Sequence, residues 1–129
     1  MLKTISVIIP TYNEAGNIAI LIHKINRESQ KIKIVIVDDN STDQTQTIIK
    51  KLQKKSSNLF LIKRKKKGGR GSAVLAGFAY ACQKLNTDFY IEMDADLSHP
   101  AEQIKLLLKK AAKNRVVIAS RYCKGGKII

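Results

Sequence analysis

Acidic side chains are scarce in this chain and unevenly spread. Ten Asp and Glu stand against 24 Lys and Arg among 129 residues, giving a formal net charge of +14. No acid lies between Asp43 and Asp88, and none follows Glu102. So basic a chain is drawn to polyanions: nucleic acid, anionic lipid headgroups or phosphorylated small molecules. Cysteine is rarer still. Cys82 and Cys123 match no CxxC or zinc spacing, which argues against a disulfide framework and reads as free thiols in a reducing compartment. Aromatic residues make up only 5%. With no RNA-binding aromatic motif and no zinc spacing, nucleic acid is disfavoured as a partner despite the charge. No apolar run approaches the ~20 residues that cross a bilayer. Met1 leads directly into an alternating apolar stretch without the core of a signal peptide, so the chain reads as soluble or peripheral.

What is present is 44% hydrophobic, enough for one packed domain spanning 1–129. Ile5 to Ile9 is a β-branched run stopped by Pro10, the pattern of a buried strand. Ile18, Leu21, Ile22 and Ile25 then keep the i, i+3, i+4, i+7 spacing of one helix face. Ile32 to Val37 predicts a second strand ending at Asp38-Asp39. Ser41 or Thr42 can cap the next helix, with Asp43 near its positive end and Ile48, Ile49 and Leu52 inside. Asn58 to Ile62 is a weaker third strand. Beyond the basic glycine-containing loop from Lys63 to Gly71, helical spacing runs from Val74 to Leu85. Phe89 to Met93 predicts a fourth strand, and Pro100 opens a helix with Ile104, Leu107, Leu108 and Ala111 on its face. Val116 to Ala119 reads as a fifth strand. This cadence predicts an α/β fold with right-handed crossovers and a parallel sheet covered by helices on both faces.

In such sheets ligands bind beyond the carboxyl ends of the strands, where Asp38, Asp39, Asp94, Asp96 and Arg121 all fall. Asp94-Ala95-Asp96 can present two carboxylates to a hard divalent ion; alternatively Asp96 or Ser98 caps the helix near Pro100. Glu92, two residues earlier, projects to the side of Asp94 as a supporting partner or a buried ion-pair member. Asp38-Asp39 can accept from a ribose hydroxyl or a base N–H, or build a local turn with Asn40 and Ser41. Gly68-Gly69-Arg70-Gly71-Ser72 is neither a Walker A loop nor a dinucleotide fingerprint. A helix N-terminus there could attract phosphate, but its lysines read as a solvated surface loop. His99 before Pro100 fits a structural role better than a ligand's, and Tyr12 either stacks on a base or covers the sheet end.

Four segments in one order, Ile8–Glu14, Val35–Asp43, Met93–Pro100 and Ser120–Gly126, carry a resemblance. The chain resembles the family-2 glycosyltransferases of GT-A fold, and within them the dolichyl-phosphate and polyprenyl-phosphate mannosyltransferases, over essentially its whole length. The resemblance implies a Rossmann-like sheet, here incomplete at the C-terminus, and a nucleoside-diphosphate sugar, GDP-mannose, as donor. It places Pro10, Tyr12, Glu14, Val37 and Asp39 on the nucleotide, and Asp94 and Asp96 on Mg²⁺ or Mn²⁺. Asp96 and Arg121 are its catalytic candidates, with Arg121 near the phosphate of a polyprenyl lipid acceptor. Ser98 departs from the glutamine that related enzymes often carry there. The implied setting is the cytoplasmic face of a membrane, with a partner subunit or a further C-terminal segment completing the acceptor side. A family-2 transferase with another acceptor, or a basic nucleic-acid-binding protein without catalysis, are the competing readings.

Overall fold

The computed structural model describes residues 3–127. Four parallel strands, β1 (Ile5–Thr11), β2 (Lys33–Asp38), β3 (Leu59–Lys63) and β4 (Phe89–Glu92), form one sheet in the order β3-β2-β1-β4. Helices α1 (Ile18–Glu28), α2 (Thr45–Gln53), α3 (Arg70–Tyr80) and α4 (Gln103–Lys110) cross between or follow them. The expected α/β architecture is therefore present.

The sheet divides two apolar layers. On one side Val7, Ile9, Ile34 and Ile36 meet Ile18, Leu21, Ile22 and Ile25 of α1, Ile49 of α2 and Ile104 of α4. Each aliphatic side chain so buried contributes about 1.5–3 kcal/mol. On the other side Ile8, Val35 and Val37 meet Ala73 of α3 and Ala81. Gly77 lets α3 approach this face. A Cβ there would stand 2.5 Å from Ile8 Cγ2 and 3.0 Å from Val37 Cγ2.

Several boundaries differ from the sequence reading, each for a local reason. β1 continues through Pro10 to Thr11. Thr4 and Ile8 carbonyls accept from the β4 side, Phe89 and Met93 N–H, whereas Thr11 O accepts from Asp39 N on the β2 side. By alternation Pro10 faces β4, whose ladder with β1 ends at Ile8 and Glu92. The ladder toward β4 thus stops where the N–H that Pro10 lacks would have donated next. Helix α2 starts at Thr45 without a Ser41 or Thr42 cap; instead Asp43 accepts from the Thr45 N–H and hydroxyl. The long helical stretch to Leu85 ends as a π-helical turn, Ala81–Leu85, closed by Asn86 at φ 46°. Pro100 lies one turn before α4, its carbonyl accepting from Gln103 N.

The expected fifth strand is absent among the described residues. Residues 116–119 run unpaired beside the outer edge of β4, with Val116 90% and Ile118 78% exposed. No layer covers their outer side, so pairing would order backbone without the apolar burial that offsets such ordering.

Candidate functional site

The strand order reverses direction at β1: β2 and β3 extend the sheet to one side, β4 to the other. Such a switch point is where open α/β sheets bind ligands. A cleft of about 310 Å³ lies there, lined by Pro10 near the end of β1, Tyr12 and Glu14 after it, Asp39 after β2, Lys67, Gly69 and Arg70 before or at the start of α3, and Asp94 and Asp96 after β4. The site predicted from six of these residues is thus brought together in space.

Two loops at its rim are locked to each other. Asn13, at φ 54°, accepts through Oδ1 from Thr42 N at 2.9 Å and Asp43 N at 3.3 Å. In return Asn13 N donates to Ser41 Oγ, Glu14 N to Thr45 Oγ1 and Ala15 N to Asp43 Oδ2. Burial raises the Asp43 carboxyl, but the hydrogen bonds from Thr45 and Ala15 outweigh it and hold the group below its usual range. Asp38 is fully buried and accepts from Thr11, Ser41 and Gln46. Its oxygens are spent on building the turn, as the local alternative anticipated.

Asp39 faces the other way. Its carboxylate is 4% exposed and accepts from Gly68 N and Gly69 N, each at 2.9 Å to Oδ2, while Arg64 Nε stands 3.3 Å from Oδ1. The anion at the start of α3 is therefore the chain's own. Gly69 adopts φ 89° there, a conformation open to glycine at no steric cost. The lysine-rich stretch is not wholly a solvated loop, because Lys67 Nζ lies 3.9 Å from the centroid of the Tyr12 ring, a cation–π distance at the cleft mouth.

Beyond β4, Asp94 and Asp96 differ in their surroundings. Arg70 donates from Nε at 2.9 Å and Nη2 at 2.7 Å to Asp94 Oδ1, and Nη2 also pairs with Glu92. Hydrogen bonding to Asp94, with the Asp94 and Glu92 charges, raises the Arg70 pKa against a smaller effect of burial. Glu92 is an ion-pair member as one alternative held, though a half-exposed one. His99 Nδ1 accepts from Asp94 N at 3.0 Å, and its Nε2 stands 3.6 Å from Asp94 Oδ2. His99 thus brackets the first aspartate. Asp96 Oδ1 accepts from the Ser98 hydroxyl and amide, and these two bonds hold its carboxyl below the usual range. Leu97 between them sits at φ 67°, a conformation that costs a branched side chain about 1–3 kcal/mol and collects at functional turns.

Two expected site residues stand elsewhere. The Val37 side chain is fully buried against α3, because strand alternation turns it into that layer. Arg121 is exposed in a terminal turn and is not among the residues lining the cleft. Two residues that the sequence reading left without a role do line the site, Lys67 and Arg70, and Arg64 supports it through Asp39. Their signal was their place in the stretch leading into α3, on the strand-end side of the sheet.

Among the described residues no three His, Cys, Asp or Glu converge as an ion cage. The site resembles a half-built ion seat beside a nucleotide-sized cleft. The profile of glycosyl transferase family 2 matches residues 6–128. The chain belongs to that family. A family-2 relative, dolichol-phosphate mannosyltransferase of Pyrococcus furiosus, is 43% identical over 96% of this chain, which spans 35% of the relative's length. Polyprenol monophosphomannose synthase of Mycolicibacterium smegmatis is 35% identical over 95% of the chain and 46% of its own length. Among solved structures, a mannosyltransferase of Pyrobaculum calidifontis in complex with GDP-Man and Mn²⁺ superposes with a TM-score of 0.66 at 26% identity, over 74% of this chain and 28% of its own. TarS 1-349 of S. aureus in complex with UDP gives 0.67 at 24% identity, over 92% and 39%, a likeness of fold. The family-2 chain therefore spans under half of each of these proteins.

Proposed function

We propose that residues 1–129 form the nucleotide-sugar-binding part of a polyprenyl-phosphate mannosyltransferase, with GDP-mannose as donor. The observation that carries this reading is the switch-point cleft, where Asp94 and Asp96 face Pro10, Tyr12, Glu14 and Asp39. Tyr12 is 38% exposed and offers a ring face to the base. Glu14 offers a carboxylate to base or ribose donors, and Asp39 holds the Gly68–Gly69 wall of the cleft against the nucleoside.

The donor set suits a divalent ion. Asp94 Oδ1 already holds a cation, the Arg70 guanidinium, and both aspartates are hard oxygen donors. Two carboxylates completed by ligand phosphates are what Mg²⁺ or Mn²⁺ requires when no protein cage is present. Asp94 and Asp96 would hold the ion, which when bound neutralises charge developing on the departing diphosphate. The protein's own part is to orient the donor: the cleft walls fix the nucleoside, and the interlocked loops keep Tyr12 and Glu14 in register. A lipid monophosphate is already anionic. Its oxygen attacks the anomeric carbon as the bond to the diphosphate breaks, inverting that centre without a general base. The net positive charge favours work at an anionic membrane face.

The test is calorimetric titration with GDP, UDP and GDP-mannose, with and without Mn²⁺. We expect GDP to be preferred and Mn²⁺ to strengthen binding. Asp96→Asn should lose that strengthening while binding as the parent does in EDTA. Equal affinities for the two proteins in Mn²⁺ would overturn the ion assignment.

A further inference from the structure

We propose that Arg70 is a resident counter-ion, holding Asp94 while no divalent ion is bound and retreating to Glu92 when one enters. The proposal rests on the reading of Asp94 and Asp96 as the ion's ligands.

Tyr90, Glu92 and Asp94 alternate onto the α3 side of the sheet, as the packing of Tyr90 in the α3-side layer records. Glu92, Asp94 and the nearby Asp96 gather three carboxylates at one strand end. Arg70 is the first residue of α3, so its backbone is fixed over this cluster. The guanidinium spans two carboxylates at once, with Nε and Nη2 on Asp94 Oδ1 and Nη2 also on Glu92. Its side chain is 55% exposed, with no packing to trap it.

An ion and a guanidinium cannot share Asp94 Oδ1 in one geometry. Asp94 Oδ2 stands 3.6 Å from His99 Nε2, and Asp96 Oδ1 is taken by Ser98. An ion that takes Asp94 Oδ1 displaces Arg70 from it. Glu92 gives the guanidinium a carboxylate to keep, so the move is a short exchange and leaves no charge unpaired. The consequence is a protein that resists free divalent ions and accepts one readily only with phosphate oxygens to complete its shell. Arg70 is thus a positioning residue for ion entry.

The experiment measures Mn²⁺ binding from the electron paramagnetic resonance signal of the free ion, with and without GDP. The proteins are the parent chain, Arg70→Met, Arg70→Gln and Lys66→Met, each checked for folding by circular dichroism. Lys66 is exposed in the same basic loop and does not line the cleft, so its removal controls for the general field. Without nucleotide, both Arg70 variants should bind Mn²⁺ roughly two- to fivefold more tightly, as displacement of an exposed ion pair allows. Lys66→Met should match the parent. Unchanged or weaker binding by the Arg70 variants, or equal tightening by Lys66→Met, overturns the exchange while leaving the ion site standing. No Mn²⁺ binding by any of the proteins, even with GDP, overturns the ion site and the exchange together.

Discussion

Asp38 and Asp39 are neighbours with opposite duties. One is sealed in a turn by Thr11, Ser41 and Gln46; the other holds the amides of Gly68 and Gly69 at the cleft wall. The sequence shows that this pair ends a strand, but not which carboxylate turns inward, because that depends on loops remote in the chain. Asp39→Ala should lower GDP affinity at least about tenfold even without metal, the effect of losing charged hydrogen bonds. Amide exchange over residues 65–70 should speed up in the same variant. Unchanged exchange and affinity would show the loop to be held by other means. At the opposite end of the sheet, Asp88 accepts from the Thr4 amide and hydroxyl, each at 2.8 Å, while its own amide donates to Thr4 Oγ1. Those bonds, the Thr4 amide's first, keep the Asp88 carboxyl below its usual range. A group depressed on folding stabilises above its unfolded value, about 3.9, and loses that contribution as pH falls through the lower native value. The Tm of Asp88→Asn should therefore lie below the parent's at neutral pH, and the gap should close in acid. A gap independent of pH would place the effect outside ionisation.

At the level of elements, strands β1 to β4 are legible because each is a short, largely apolar run bounded by turn residues, and α1 because its stripe is unbroken. The fifth run has the same composition and forms no strand. Strand propensity expresses fit to a covered surface, and Val116 and Ile118 have none over them. Helix α3 is legible as a helix, but its closeness to the sheet is not. Only the structure shows that Gly77 marks the contact with Ile8 and Val37. Gly77→Val should destabilise by about 1–3 kcal/mol through overpacking, read as a lower midpoint in urea with unchanged slope. A variant as stable as the parent would mean that α3 can lift without loss. The start of α3 carries Arg70, so the same substitution should also disturb its pairing with Glu92 and Asp94.

Taken whole, the molecule concentrates its acids at the cleft and spreads lysine elsewhere, and the donor side of the proposed site is the side best built. The parallel sheet with its crossovers is legible in the alternation of runs, but the order β3-β2-β1-β4, and with it the switch point, comes from the structure; so do Lys67 and Arg70 in the cleft, since a basic loop reads alike whether it faces solvent or ligand. Arg121, the arginine expected beside an acceptor phosphate, stands outside the cleft that Asp94 and Asp96 line. Misplacing a reactant by about 1 Å can cost ~100-fold in rate. This chain should accordingly bind GDP-mannose yet transfer mannose to polyprenyl phosphate well below ~1 s⁻¹, the slow end of ordinary enzyme turnover. A radiolabelled transfer assay beside a binding measurement on one preparation decides it. Turnover at or above that rate would show the acceptor side to be complete.

Pro10 gives this sheet an aperture that cannot heal. Two neighbouring strands of good β-formers tend to zip until something stops them, and here the stop is covalent: the ring occupies the position from which the next rung toward β4 would have been donated. At the far end the reciprocal Thr4–Asp88 bonds clasp the same two strands together. The pair behaves like a clothes-peg, pinned at one end and splayed at the other. Its opening needs no hinge, no lid and no energy from a ligand, so cargo meets a gap that was ready before it arrived.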